Sequence, residues 1–192
     1  MRLNLARTVS RSAVNGPGER FVVWVQGCPL ACPGCWNPDT WAFERRILRS
    51  TTDLVAEILS VGGIEGVTFT GGEPFVQARA LAEVGRAVQA AGLSVLVFSG
   101  FRPDELTSEA AQQLLDVTDV LVSGRYIESA KIQNQSLRGS ANQQVHFLSS
   151  RYDASDLDDA AEAEFHLDAE GRIALTGFPS DQILAVIRRP VL

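Results

Sequence analysis

All three cysteines of this 192-residue chain lie in one stretch, GCPLACPGCWNP, over residues 27–38. Cys28, Cys32 and Cys35 follow a C-x3-C-x2-C spacing, and no other thiol exists to complete a set of four. Three chemistries compete for them. A closed zinc site needs four ligands and would have to recruit His146 or His166, the two histidines of the chain. Both sit in apolar or alternating segments, where an ordinary strand histidine is the simpler reading. A thiol redox pair could use Cys32-Pro-Gly-Cys35. That reading leaves Cys28 without a task, and the segment follows a strand-like run as an irregular loop. A [4Fe–4S] cluster takes one thiolate per iron, so one tight loop would hold three irons and leave the fourth open. An open coordination position is what separates catalytic metal centres from structural ones.

A second motif, TFTGGEP, spans residues 68–74. Gly71 and Gly72 remove side-chain bulk where a ligand approaches the backbone, Glu73 adds a carboxylate, and Pro74 stiffens the turn. Alone, such a sequence is more often a tight turn. One strand–helix unit after the cysteine loop, it gains weight as part of the same site.

The elements that must position these groups alternate. RFVVWVQG (20–27), GVTFTGGEP (66–74), LSVLVFSG (93–100), DVLVSGRY (119–126) and QQVHFL (143–148) read as strands. Between them, STTDLVAEILSVGG (50–63), VQARALAEVGRAVQAAG (76–92) and PDELTSEAAQQLLDV (103–117) read as helices. The first opens on a Ser50 cap, and the last has Pro103 near its start, as one helix or a broken pair. This pattern predicts an α/β fold with a mainly parallel sheet and right-handed crossovers. Five strands suit a partial, open βα barrel, because a closed eight-stranded one typically needs about 250 residues. A single core over 1–150 is expected, followed by an acidic linker and extension over 151–192 packed on it. In that extension EFHLDAEGRIALTG (164–177) reads as a β-hairpin and SDQILAVIRR (180–189) as a short closing helix.

Composition narrows the function. The net charge of −6 argues against nucleic acid or an anionic membrane as partner. No apolar run approaches the roughly 20 residues of a membrane span. The first residues, MRLNLARTVSRSAV, lack the apolar stretch of a secretory signal. A cytosolic protein is expected, and in that reducing compartment clustered cysteines are ligands or redox groups before they are disulfides.

Together, CPLACPGCW and TFTGGEP resemble the signature of the radical S-adenosylmethionine enzymes. Within that superfamily, VNGPGER (14–20), QGCPLACPGCWNPDTW (26–41), VFSGF (97–101), DVLVSGRY (119–126) and LRGSANQQVHFL (137–148) follow in the order found in the glycyl-radical activases of the anaerobic ribonucleotide reductase type. The resemblance covers roughly residues 4 to 148. It implies that Cys28, Cys32 and Cys35 hold a [4Fe–4S] cluster and that S-adenosylmethionine binds the fourth iron. It places Gly34 and Trp36 beside the adenine, Gly71, Gly72 and Glu73 at the methionyl amino group, and Ser99 near the ribose or methionyl carboxylate. Ser123 is counted with these cofactor-binding residues, on the side of the site that faces the substrate. The Asn15–Gly18 loop falls at the substrate opening, and Arg138, Ser140 and Asn142 in a segment that orders a neighbouring loop. The implied chemistry is reductive cleavage of S-adenosylmethionine to a 5′-deoxyadenosyl radical, which removes a hydrogen atom from a glycine of a partner enzyme. No protein acid or base is then required. A flavodoxin- or ferredoxin-type donor would supply the electron. Three positions depart from the commoner family pattern: Ser123 stands where aspartate is usual, Trp36 where tyrosine is common, and Asn15 where the activases often have aspartate, although those of the ribonucleotide reductase type can carry asparagine. The alternatives are a radical enzyme acting on a small molecule or peptide, and a non-catalytic iron–sulfur or zinc scaffold.

Overall fold

A computed structural model of the chain describes residues 1–132, 137–157, 163–167, 171, 173–180, 182, 183 and 185. Seven strands form one open sheet: β1 (Arg2–Ser12), β2 (Arg20–Val25), β3 (Ile47–Ser50), β4 (Gly66–Gly71), β5 (Ser94–Ser99), β6 (Val120–Ser123) and β7 (Gln144–Phe147). Their spatial order is β3-β1-β2-β4-β5-β6-β7. The centre, β2-β4-β5-β6, is parallel. All six residues of β2 are buried, as expected of a strand covered on both faces.

Helices α1 (Thr51–Ser60), α2 (Ala78–Ala90) and α3 (Glu109–Leu115) cover one face. The Ser50 hydroxyl caps α1 by accepting from the Asp53 amide at 3.0 Å, and Ser108 caps α3 through the Ala111 amide at 3.1 Å. Pro103 opens a separate short 3-10 turn over Pro103–Glu105, so the expected helix over 103–117 is divided in two. The main core lies between these helices and the sheet, with Phe21, Val23, Phe69, Leu81, Val97 and Leu114 fully buried. A second cluster, around Leu96, Val120, Val122, Leu137 and Leu157, lies across the sheet from the helices.

Two features differ from expectation. QQVHFL forms β7, but antiparallel to β6. A parallel return needs a long crossover, usually helical, and the segment joining β6 to β7 has only a 3-10 turn at Glu128–Ala130 among its described residues. The amino-terminal stretch is the longest strand of the sheet, β1, and it pairs antiparallel with both β2 and β3. Its period-2 pattern is broken by register shifts between Leu5 and Arg7 and between Val9 and Ser12, so alternation did not reveal it. No closed sheet forms among the described strands.

Beyond the sheet, β8 (Ala163–Leu167) and β9 (Ile173–Gly177) pair antiparallel as a separate two-stranded ribbon, the hairpin expected over 164–177. Of the acidic stretch, Ala154–Leu157 forms a 3-10 turn that buries Leu157 in the second cluster. Most of the closing helix expected over 180–189 lies outside the described residues. Among the described residues no helix is long and apolar enough to cross a membrane.

Candidate cluster and cofactor site

Strand β2 runs directly into the cysteine loop, which is pinned back on itself. The Gly27 amide donates to the Thr40 carbonyl at 2.8 Å and the Cys28 amide to the Trp41 carbonyl at 3.0 Å. Inside the loop, Ala31 and Gly34 take positive φ values of 44° and 73°, and the Cys35 amide donates to the Cys32 carbonyl at 3.1 Å. These bends turn Cys28, Cys32 and Cys35 toward one hollow of about 130 Å3. All three are free thiols of intermediate exposure. Burial pushes the Cys28 and Cys32 thiols up, against a lowering contribution from the backbone amide of Tyr126 at Cys32.

The Gly-Gly-Glu turn forms the opposite side of the same hollow, at the carboxyl end of β4. That is the edge at which open α/β sheets bind ligands. Its glycines answer first to the cysteine loop. A Cβ on Gly72 would stand 2.4 Å from the Gly27 carbonyl oxygen, and one on Gly71, where φ is +100°, would meet the Trp24 backbone at 2.7 Å. The close approach allows the Gly72 amide to donate to the Val25 carbonyl at 2.8 Å and the Glu73 amide to the Gly27 carbonyl at 2.9 Å. The turn and the loop are therefore one unit.

Glu73 is 1% exposed and points into that unit. Its carboxylate accepts from the Phe75 amide at 3.0 Å, the Ser99 hydroxyl at 2.9 Å and the Gly100 amide at 2.8 Å. Burial outweighs these bonds and raises its pKa to about 7. The Ser99 hydroxyl, donating to Glu73 and accepting from the Phe101 amide at 3.0 Å, clamps the ends of β4 and β5 together.

A second hollow of about 200 Å3 adjoins the first, sharing Cys35, Thr70, Phe98, Tyr126 and Gln143 with it. Trp36, Trp24 and Asn15 line it. Trp36 is 39% exposed, with the Lys131 ammonium 5.6 Å from its ring centre. Gly34 lies against Glu128, where a Cβ would come within 2.7 Å of the carboxyl carbon. The structure thus brings Cys28, Cys32, Cys35, Trp36, Gly71, Gly72, Glu73 and Ser99 to two connected hollows. Ser123 is not brought there: its hydroxyl is 2.9 Å from Nε2 of His146 on the neighbouring strand.

Further residues brace the site from around it. Arg20 is fully buried, donating from Nε to the Thr68 hydroxyl at 2.7 Å and from its guanidinium to the Pro17 and Val67 carbonyls at 3.1 and 2.8 Å. Thr68 in turn donates to the Asn15 carbonyl at 2.8 Å, so the arginine holds the Asn15–Gly18 loop against the sheet. Arg7 stacks 4.5 Å over Trp24 and donates to the Asn37 side chain at 2.8 Å. Gln143 accepts from the Gly139 amide at 2.8 Å and donates to the Gly124 carbonyl at 3.0 Å, while Asn142 donates to the Arg125 carbonyl at 2.8 Å. These bonds brace the 124–127 segment beside the cysteines. Asn142 and Gln143 belong to the LRGSANQQVHFL segment that the resemblance assigns to ordering a neighbouring loop, whereas Arg7 and Arg20 had no role assigned from the sequence.

The donor set fits an iron–sulfur cluster with a cationic ligand beside it. Among the described residues no three ligating side chains converge as closely as a single metal ion requires. A cluster whose irons each take one thiolate holds its cysteines further apart. With the amides of Gly72 and Glu73 already engaged, the turn offers acceptors, which is what an ammonium group needs.

A parallel-centred α/β sheet with a three-cysteine loop at its carboxyl edge defines a single-cluster iron–sulfur protein of the radical S-adenosylmethionine kind. Residues 14–146 match the 4Fe-4S single cluster domain family. The chain belongs to that family, alongside the anaerobic ribonucleoside-triphosphate reductase-activating proteins. To that of Escherichia coli K12 it is 33% identical over 144 residues, covering 70% of this chain and 92% of the relative. To that of Salmonella typhimurium it is 34% identical over 143 residues, with the same coverage. The pyruvate formate-lyase-activating enzyme of Listeria monocytogenes is 38% identical over 119 residues, 57% of this chain and 47% of the relative. A [4Fe–4S] cluster and S-adenosylmethionine are accordingly its cofactors.

Proposed function

We propose that this chain installs a glycyl radical on a partner enzyme of the anaerobic ribonucleotide reductase type. The observation that carries this reading is the convergence of the three cysteines and the Gly-Gly-Glu turn on one hollow at the carboxyl edge of the parallel strands. When bound, the cluster and S-adenosylmethionine supply one-electron reduction and the radical that removes the hydrogen atom. The chain's own residues bind and orient. Cys28, Cys32 and Cys35 hold three irons. Gly71, Gly72 and Glu73 receive the methionyl ammonium through oxygen acceptors, Gly34 and Trp36 border the adenine, and Ser99 fixes the Glu73 carboxylate. The apolar walls Phe98, Trp24 and Trp36 keep water from the reacting centre. We read the open sheet over 1–150 as an incomplete barrel whose uncovered side admits a peptide loop, and 151–192 as an extension packed on it. A flavodoxin- or ferredoxin-type donor and a cytosolic location complete the reading.

Anaerobic reconstitution tests it. About four iron and four sulfide per chain are expected. Dithionite with S-adenosylmethionine should then release 5′-deoxyadenosine, and addition of the reductase partner should give a protein-based doublet in electron paramagnetic resonance. Nucleoside release with no such doublet from any glycyl-radical partner refutes the activase assignment and leaves a small-molecule or peptide substrate.

A further inference from the structure

The hairpin β8–β9 lies beyond the family match, which ends at residue 146, yet it reaches the site. Leu175, Thr176, Gly177 and Phe178 form one wall of the second hollow, the one that shares Cys35 with the first. Three contacts hold this wall in place. Asn15 donates from its side-chain amide to the Thr176 hydroxyl at 3.0 Å, the Phe178 ring packs on Phe98 with centroids 6.0 Å apart, and Glu164 of β8 accepts from the Ala13 amide at 2.7 Å. Between the Thr176 and Phe178 anchors sits Gly177, the last residue of β9, at φ +99°, a conformation that favours glycine.

We propose that Thr176–Gly177–Phe178 is an internal stand-in for the partner's peptide, seated where the glycine-bearing segment of the partner must bind. The inference rests on the activase reading above, which requires a glycine on an extended segment to reach the cluster side of this hollow. The two hollows, about 130 and 200 Å3, together reach only the lower end of the roughly 300–1,000 Å3 typical of one small-molecule site. Cluster, cofactor and a peptide residue must meet in that space, so the present wall has to yield to the incoming segment. It is built to yield. β9 pairs with β8 alone and not with the seven-stranded sheet, so a few side-chain contacts rather than a strand ladder hold it against the hollow, and such weakly tied elements open most readily. The seat offers the incoming chain what β9 now uses: the Asn15 amide for a side-chain oxygen, a place where only glycine fits the backbone, and the Phe98 ring for an apolar or aromatic residue. A partner of that chemistry displaces the hairpin, while the resting protein keeps the hollow covered.

The test uses the full-length chain without its cluster and two synthetic probes. One copies residues 173–179, Ile-Ala-Leu-Thr-Gly-Phe-Pro, and the other replaces its glycine by alanine. Trp24 and Trp36 line the hollow and report binding by fluorescence, while hydrogen exchange follows the β9 amides. The wild type should bind the glycine peptide weakly. Phe178→Ala and Thr176→Val, each loosening one anchor, should bind it about tenfold more tightly because the closed form is depopulated. Bound peptide should accelerate exchange in 173–177, and the alanine peptide should not bind. Equal affinity in wild type and both variants, no binding in any of them, or slower exchange in β9 would overturn the stand-in and leave the hairpin a fixed wall. Because Thr176→Val removes only one hydroxyl, it carries the test if Phe178→Ala does not fold. These readouts need no radical chemistry. Failure of the reconstituted protein to release 5′-deoxyadenosine would count against the activase reading alone.

Discussion

Glu73 makes the link between burial and charge measurable. Its carboxylate is 1% exposed, and burial lifts its pKa from 4.5 to about 7 despite three hydrogen-bond donors. Between those two pH values the folded chain binds a proton more readily than the unfolded one, so stability falls as pH rises through the window and is level above it. At about 1.4 kcal/mol per pH unit of displacement, this amounts to roughly 2–3 kcal/mol between pH 5 and 8. Glu73→Gln cannot ionise and so lacks this dependence. Its oxygen still accepts from both Phe75 and Ser99, but its NH2 then faces the Gly100 amide, two donors in opposition, so the variant is less stable than wild type at pH 5. Urea unfolding of the cluster-free, reduced chain across pH 5–8 measures both. The advantage of wild type over variant should shrink by roughly 2–3 kcal/mol as pH rises, or about 5–10 °C in melting temperature. A gap that stays constant within about 0.5 kcal/mol means that Glu73 is already ionised at pH 5, and the reasoning is wrong.

Other outcomes follow from the same contacts. Cys32→Ala should abolish the cluster and all nucleoside release while leaving the melting temperature of the cluster-free chain within a few degrees, since the thiol is only partly buried. Gly72→Ala forces a Cβ to 2.4 Å from the Gly27 carbonyl and should lower iron content sharply in a chain that still folds, measured as iron per protein beside a far-ultraviolet dichroism spectrum. Arg20→Met strips donors from the buried acceptors Thr68, Pro17 and Val67 and should cost about 3–5 kcal/mol in urea unfolding, well above a surface arginine. Ser123→Ala, which loses only the bond to His146, should leave iron content and cofactor cleavage unchanged.

The chemistry was legible in the sequence because it rests on residue types at fixed local spacing. Three cysteines within eight residues can face one point only as a loop, and GGEP after an apolar run places a carboxylate at a strand's end. The central strands and the helices were likewise written in local periodicity, with Ser50 marking one helix start, whereas the start of α3 at Ser108 emerged only in the fold. What depended on distant partners was not. β1 is a strand because β2 and β3 pair with it on either side, and its bulges erase the alternation that would have announced it. QQVHFL is a strand by composition, but its direction is set by a return too short in regular structure for a parallel crossover. Ser123 sits two residues from Arg125 in a segment that resembles its relatives, yet the pleat turns its hydroxyl to His146 and away from both hollows. The two glycines after β4 looked like room for a ligand, and in the fold they are first room for the backbone of the cysteine loop. Residue types at short spacing were enough to name the groups able to hold iron and receive an ammonium. Which of them meet was settled by the fold, because meeting depends on strand register, on the face a side chain takes and on burial, and none of these is a property of nearest neighbours.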